Sequence, residues 1–533
     1  MIKKIVYQLK ERLIRRIEIQ AVKGYFDIQE TNSDLINEIR DKIADHQLKV
    51  KRSVIENIIF PKNINVQLSL HQYLLRTLLG TMFNRIILFN IHRNKNIIYP
   101  LPIPWLRIIE KSGLKVSYFW SSSFFYLFLF FSFLSGFFSL FKHVFKHSKR
   151  IKINQKHSYF FNLDKKCFPS PGDKDSHDII SWYTKKYSVN VSDDSRLIVH
   201  SAPNISNYVI GEHNIMYAQD YLPRISFLSF YFKFLPAVVI TILTIILTFR
   251  LRNIILLKEI IDMYAFKFGE KNSVAQKYFF SFTNLLYRPL WTYVAELRGS
   301  SLIFYFYACN ISNYKELNKE YSTVPEFFQV FNWPKYLVWN KHHAGYIRNL
   351  IAYPSDIEVV GPIGYQDNSI ALPKLSKPSV LVFDIQPFKL TYSIPVSCGA
   401  QSHRYDYKVR VDFYNDIQEI CYELGVDLFF KRKKNNPRTH KKYLSFLKTF
   451  IKNDNVVEID PDVSAFRLCK QFEVVLSMPF TSTAVIADYY GKDSIYYDPS
   501  GNIQKDDRAA HNLTVINGKI ELKNYLYNIF STQ

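Results

Sequence analysis

Two stretches stand out from an otherwise mixed pattern of apolar and polar positions. Residues 116–141 (VSYFWSSSFFYLFLFFSFLSGFFSLF) carry no charge over about 26 positions, long enough for a helix to cross the roughly 30 Å hydrocarbon layer. Residues 234–249 (FLPAVVITILTIILTF) are uncharged for only about 16, slightly short of a span unless Lys233 snorkels and lets 225–232 extend the helix. Ahead of both, residues 1–110 read as helical and basic, with apolar positions at helical spacing in 14–22 and 35–43. The polar, irregular stretch 142–194, which includes SPGDKDSHD, reads as a linker or exposed loop.

From residue 195 the texture changes. Short β-branched and aromatic runs at 196–201, 301–309, 335–340 and 357–363 predict strands, and helices are expected between them at 251–268 and 289–298. After 374–378 the alternation is cleaner. Strands are expected at 379–385, 427–431, 456–459, 473–478 and 494–497, with helices at 411–424, 439–451, 463–471 and 482–490. Alternation of this kind signals βαβ units around parallel sheets. The expected organisation is a basic helical region (1–150) with an apolar segment, a linker (151–194), and two α/β lobes (195–373 and 374–533) whose cleft lies at the carboxyl ends of the strands.

Charge sharpens the picture without deciding it. Lys and Arg total 69 against 46 Asp and Glu, a net charge of +23, which suits an anionic partner. If both apolar segments spanned, Lys142, Lys146, Lys149, Arg150, Lys152 and Lys156 would lie outside, against the positive-inside tendency. Arg107, Lys111 and Lys115 precede the first segment, so a helix lying in or dipping into an anionic leaflet is expected, with a buried core helix as the alternative. Five scattered cysteines without a CxxC pair form neither a disulfide framework nor a zinc site. The Lys/Arg-studded start has no secretory signal, which points to the cytoplasmic face of the inner membrane. One or two apolar segments are too few for a transporter. The chain shows no nucleic-acid module, so no nucleic-acid partner is expected.

Candidate chemistry gathers in the second half. In Ser477-Met478-Pro479-Phe480-Thr481-Ser482-Thr483, a strand ends, proline turns the chain, and hydroxyls sit where a helix begins. Helix N-termini attract phosphate, so Ser477, Thr481, Ser482 and Thr483 can bind one; simple helix capping is the alternative. Lys431, Arg432 and Lys433 follow an apolar strand and are expected at the same sheet edge, converging on the same anion. Asp460-Pro461-Asp462 has the letters of a metal-binding DxD motif but immediately precedes a helix, where both residue types are ordinary caps. His342-His343 lacks companions at ligand spacing, and no metal or cofactor is expected.

Met478 to Gly501 (MPFTSTAVIADYYGKDSIYYDPSG) resembles the signature of the PFTS-motif surface-polysaccharide biosynthesis proteins of bacteria, as do RPLWTYVAELRGSSLIFYFYACN, WPKYLVWN, VVGPI and VFDIQP, all within about 195–500. The resemblance implies an α/β fold with two Rossmann-like lobes (GT-B-like) and a metal-independent glycosyltransferase of capsule or O-antigen assembly. Its substrates would be a nucleotide-sugar and a lipid-linked oligosaccharide acceptor at a membrane surface. A more distant likeness to sialyltransferase-like enzymes implies a CMP-linked donor, although the His-Pro element of those enzymes is replaced here by Lys431-Arg432-Lys433. Glycosyl transfer needs a carboxylate to deprotonate the acceptor, for which Asp384 is the first candidate and Glu296 and Asp406 the others. For Asp384, a turn-forming role ahead of Gln386-Pro387 is the alternative. A non-catalytic, membrane-associated assembly protein is the competing functional class.

Overall fold

The computed structural model describes residues 31–531 apart from 147–149, 151–155, 162, 164–166, 169–177, 189–196, 203–204, 206, 211–212, 219, 249–250, 283–286, 311–313, 316, 318–328, 352, 354, 365–369, 390–406 and 435. Within these residues the first sheet has eight strands: β1 (His157–Phe161), β2 (Leu197–His200), β3 (Tyr208–Ile210), β4 (His213–Tyr217), β5 (Lys277–Phe282), β6 (Ser301–Phe306), β7 (Lys335–Val338) and β8 (Asp356–Val359). Their order is β3-β4-β2-β1-β5-β6-β7-β8, and all pairings are parallel except β3 with β4. The second sheet holds β9 (Ser379–Phe383), β10 (Asp427–Lys431), β11 (Val456–Ile459), β12 (Val474–Ser477), β13 (Asp493–Asp498) and β14 (Thr514–Asn517). It is fully parallel in the order β11-β10-β9-β12-β13-β14. Both sheets reverse direction of strand addition once, between β1 and β5 and between β9 and β12. That is the doubly wound pattern, whose ligand crevice lies at the carboxyl ends of the strands flanking the reversal.

Side-chain alternation along the strands builds three stacked cores. Tyr278, Phe280, Leu302 and Phe304 face one core, while Phe279, Ile303 and Tyr305 face the next. In the second sheet Leu381 and Phe383 join that same middle core, and Val380 and Val382 face the third. The middle cluster is therefore shared between the lobes. The outer face of the first sheet is shared too. Ile39 and Leu74 of the N-terminal helices, Phe125 and Ile242 of the apolar segments, and Leu257, Trp291 and Trp333 of the lobe belong to one cluster.

Three sequence expectations change. The stretch 151–194 is no simple linker: HSYFF at 157–161 forms β1, which pairs with β2 on one side and β5 on the other. Five residues flanked by polar sequence give too short a run to show periodicity, yet four of the five are buried because both faces of a central parallel strand are covered. A helix at Ile179–Ser188 lies in the same stretch. The 251–268 helix is two helices, Leu251–Ile255 and Leu257–Phe268, and the 357–363 strand ends at Val359, shortly before Gly361 takes a φ of 82°.

The apolar segments are helices Tyr118–Lys146 and Phe227–Thr248, each long and apolar enough by composition to cross a membrane. The second continues through Pro236 because a π-turn at Phe230–Phe234 absorbs the proline; the Leu235 amide donates to the Phe230 carbonyl five residues back. Both pack on Leu257–Phe268. A Cβ built on Gly136 would lie 2.6 Å from Leu257 Cγ, so only glycine lets the first helix approach this closely. Replacing Gly136 by Ala should cost about 1–3 kcal/mol of stability through overpacking. Gly345→Ala, within Lys341–Leu350 and with no atom within 4 Å of its built Cβ, should instead be neutral or stabilise by about 0.5–1 kcal/mol. Thermal denaturation of the two variants side by side checks both signs.

Candidate functional site

The chain leaves β12 at Ser477 and turns through Met478-Pro479-Phe480 into helix Ser482–Tyr489. Phe480 takes a φ of 47°, a left-handed conformation that is strained for an aromatic residue, and it is buried against Tyr314 and Tyr496. This sharp elbow brings the hydroxyls together. Ser477 Oγ lies 2.9 Å and Thr481 Oγ1 3.1 Å from Thr483 Oγ1, and Thr481 Oγ1 donates to the Met478 carbonyl at 3.0 Å. Thr481 occupies the N-cap position, yet no side chain caps this helix. Plain capping is thus not what the hydroxyls do. Thr481, Ser482 and Thr483 remain half-buried, and the positive end of the helix is left facing them.

The elbow touches the first lobe. The Cys309 amide, just beyond the carboxyl end of β6, donates to Ser482 Oγ at 3.2 Å. Nearby the Lys315 amide donates to Asp507 Oδ2 at 2.6 Å, and Asn340 Nδ2 lies 3.1 Å from His511 Nδ1. His511 also stacks with His342 at 6.0 Å. Burial drives the His511 pKa down to about 4, with His342 adding to the shift, so this imidazole is neutral near pH 7. Sequence reasoning missed His511, Asn340 and Cys309. Cys309 and Asn340 lie at the ends of the quoted RPLWTYVAELRGSSLIFYFYACN and WPKYLVWN stretches and His511 lies in none, and only the meeting of the lobes makes them neighbours.

The expected convergence of cations on the hydroxyls holds only in part. Lys431 ends β10, and β9 stands between β10 and β12, so the strand ends are two spacings, or about 10 Å, apart. Lys431 Nζ donates to the Pro461 carbonyl at 3.1 Å, and Arg432 pairs with Glu458 at 3.2 Å, both toward β11 and away from β12. Lys433 is different. Its amide donates to Asp384 Oδ2 at 3.1 Å, which fastens this exposed lysine to the end of β9, the strand next to β12.

Asp384 sits as expected at the carboxyl end of β9, but its carboxylate is buried and occupied. Tyr443 donates to Oδ1 at 2.6 Å, and Gln386 and the Lys433 amide donate to Oδ2. Burial raises its pKa despite these donors. It is a positioning residue that ties the loop after β10 to β9. Gln386 extends the tie to the Lys433 and Lys434 carbonyls and to Thr439. Glu296 pairs with Arg288 at 2.5 Å. Arg288 in turn donates to the Asn332 carbonyl, ahead of β7 and so at the amino edge of the sheet, which removes Glu296 from the crevice. Asp406 lies outside the described residues. In Asp460-Pro461-Asp462, Asp460 accepts from the Asp462 amide in a turn and Asp462 pairs with Lys434, while Ser464 holds the N-cap of the next helix. His343 is buried beneath Trp339, as a core residue would be.

The family model for polysaccharide biosynthesis PFTS motif proteins matches residues 237–526, more than half of the 533. The chain belongs to this family, and the elbow Pro479-Phe480-Thr481-Ser482 spells its motif. No curated protein matches the sequence. Among solved structures the chain is similar to HepE of Anabaena in complex with UDP and glucose (TM-score 0.35, 9% identity, 70% of this chain and 89% of that one). It is also similar to MnaA of S. aureus with UDP (0.34, 9%, 70% and 88%) and to a variant of the wall teichoic acid polymerase TagF (0.37, 12%, 75% and 89%).

Because Asp384→Ala strands the buried Tyr443 hydroxyl and removes one acceptor of the buried Gln386 amide, it should destabilise the second lobe by about 2–4 kcal/mol. Arg432→Ala breaks a half-exposed pair with Glu458 and should cost under about 1 kcal/mol. Urea unfolding of both variants measures the difference.

Proposed function

We propose that the chain is a metal-independent glycosyltransferase that moves a sugar from a nucleotide-sugar to a lipid-linked acceptor during synthesis of surface polysaccharide, capsule or O-antigen. Family membership supports the polysaccharide context. The observation that carries the enzymatic reading is the elbow itself: the Ser477 and Thr481 hydroxyls both bonded to that of Thr483 at an uncapped helix start, beside the strand reversal of a parallel sheet and against the other lobe. Such a site suits a leaving phosphate. As the glycosidic bond breaks, negative charge grows on the departing nucleotide, and fixed hydroxyls, amides and a cation stabilise it without reorganising.

In this reading Thr481, Ser482 and Thr483 hold the donor phosphate, with Ser477 orienting Thr483. Lys433 supplies the charge, and Asp384 acts through it by fixing the loop on which it stands. Lys431 and Arg432 support that loop and do not reach the phosphate. The nucleotide is CMP, UDP or GDP, and no metal or other cofactor is required.

The test is nucleotide release from CMP-, UDP- and GDP-sugars by the purified full chain supplied with lipid-linked acceptor. Thr481→Ala should lower turnover about tenfold, equivalent to roughly 1.4 kcal/mol of transition-state stabilisation, and Lys433→Ala by a larger factor. Arg432→Ala should leave turnover within about twofold, as a change remote from the phosphate. Release from none of the three donors overturns the reading. Full activity in both Thr481→Ala and Lys433→Ala removes the phosphate from the elbow.

A further inference from the structure

We infer that helices Tyr118–Lys146 and Phe227–Thr248 do not cross the membrane but lie side by side in one leaflet, forming a monotopic face that seats the first lobe on an anionic bilayer. Length and composition alone would allow either helix to span; the way their ends are fastened forbids it.

At its start, the first helix is bonded to the N-terminal helical region. Ser121 Oγ accepts from the Tyr99 amide at 3.1 Å and donates to the Ile97 carbonyl, and the Ser117 amide donates to that same carbonyl. At its end it is bonded to the first lobe. His143 lies 3.0 Å and Ser139 3.4 Å from Asp262 of Leu257–Phe268. Arg150, just beyond, donates to His143 Nδ1, to the Pro223 carbonyl and to Asp220. Because His143 accepts at Nδ1, its proton sits on Nε2 and points at Asp262. Ser121 and His143 are 22 residues apart, a rise of about 33 Å, which is the thickness of the hydrocarbon layer.

A spanning helix would put these two ends on opposite sides of the membrane. The bodies that hold them, however, are in direct contact. Gln72 donates to the Val330 carbonyl and accepts from the Arg288 amide, Asn63 donates to the Tyr293 carbonyl, and Tyr73 meets Tyr287 edge to face at 5.3 Å. One continuous core runs through both. The second helix is likewise held along its length, by Ser229 to the Phe268 carbonyl and by Thr241 to Tyr264.

The outward stripes suit hydrocarbon. Trp120, Phe124, Leu127, Phe131, Phe138 and Phe145 are exposed and fall on one side of the first helix, roughly opposite the buried stripe of Phe125, Leu129, Gly136 and His143. On the second helix Phe232, Ile240, Leu243 and Leu247 are exposed in the same way. Exposed Lys111, Lys115, Lys146 and Lys233 border these stripes, giving the headgroup layer positive charge to meet. A helix pair of this kind immerses its apolar side about 5–10 Å deep. The inference is independent of sugar transfer, since its readout is lipid binding and topology.

The experiment uses the full chain with phosphatidylcholine vesicles, with and without phosphatidylglycerol. The expected result is co-flotation with both, tighter with phosphatidylglycerol, and at least about tenfold weaker for Phe131→Glu/Phe138→Glu, which places two charges in the apolar layer. Ile520→Glu, an exposed apolar residue of the last helix, should float like the parent. In membrane vesicles with the cytoplasmic side outward, cysteines at Lys115→Cys and Lys146→Cys should both gain label from an impermeant maleimide, measured over the parent chain. Labelling of only one end means that the helix spans and overturns the proposal. So does a soluble dimer that floats with neither vesicle, in which a second copy covers the face.

Discussion

Asp262 is the group on which the arrangement of this protein turns. It is buried in helix Leu257–Phe268, and it receives His143 and Ser139 from one side and Lys258 from its own helix. A carboxylate in that position is tolerable only while its partners are present. The apolar helix Tyr118–Lys146 is therefore more than adhesive hydrophobic surface. It completes the solvation of a charge in the lobe it covers, and Arg150 carries the network on to Asp220. Hydrophobic contact alone would let a Phe-rich helix slide, whereas a buried hydrogen bond from a fixed tautomer of His143 to Asp262 sets its register.

The same division of labour recurs at the elbow. Apolar packing against Tyr314 and Tyr496 holds Phe480 in its left-handed conformation, and that strain aims the following hydroxyls at the other lobe. The β9 end supplies the complementary device. Asp384, Gln386 and Tyr443 hold the loop after β10 so that Lys433 is fastened to the end of β9 while Lys431 and Arg432 turn toward β11.

How much of this was legible follows from which signals are local. Most strands of the second lobe were readable because they are short apolar runs bounded by polar helix starts, and five of the six lie where the pattern predicts. The PFTS elbow was readable for the same reason: strand end, proline and hydroxyls are adjacent in sequence. β1 was not, since a five-residue central strand is defined by the neighbours that cover it, and these lie tens of residues away. The roles of Asp384 and Glu296 were illegible because a carboxylate's job depends on its donors. Tyr443 and Arg288 supply those donors through the fold. The adjacency of Lys431 to a strand end was correctly read, but the direction of its side chain is set by Pro461, 30 residues on.

The sequence separation of the Asp262 lock bears on biosynthesis. His143 and Asp262 are 119 residues apart, and β5, which closes on β1, also lies beyond residue 276. At about 5–20 residues per second on the ribosome, the Phe-rich helix waits roughly 6–24 s for its docking partner. During that interval the face that Leu257–Phe268 will cover has only the N-terminal helical region to pack on. On the monotopic arrangement proposed above, a lipid leaflet would shelter the Phe-rich helix until the residues that dock it emerge.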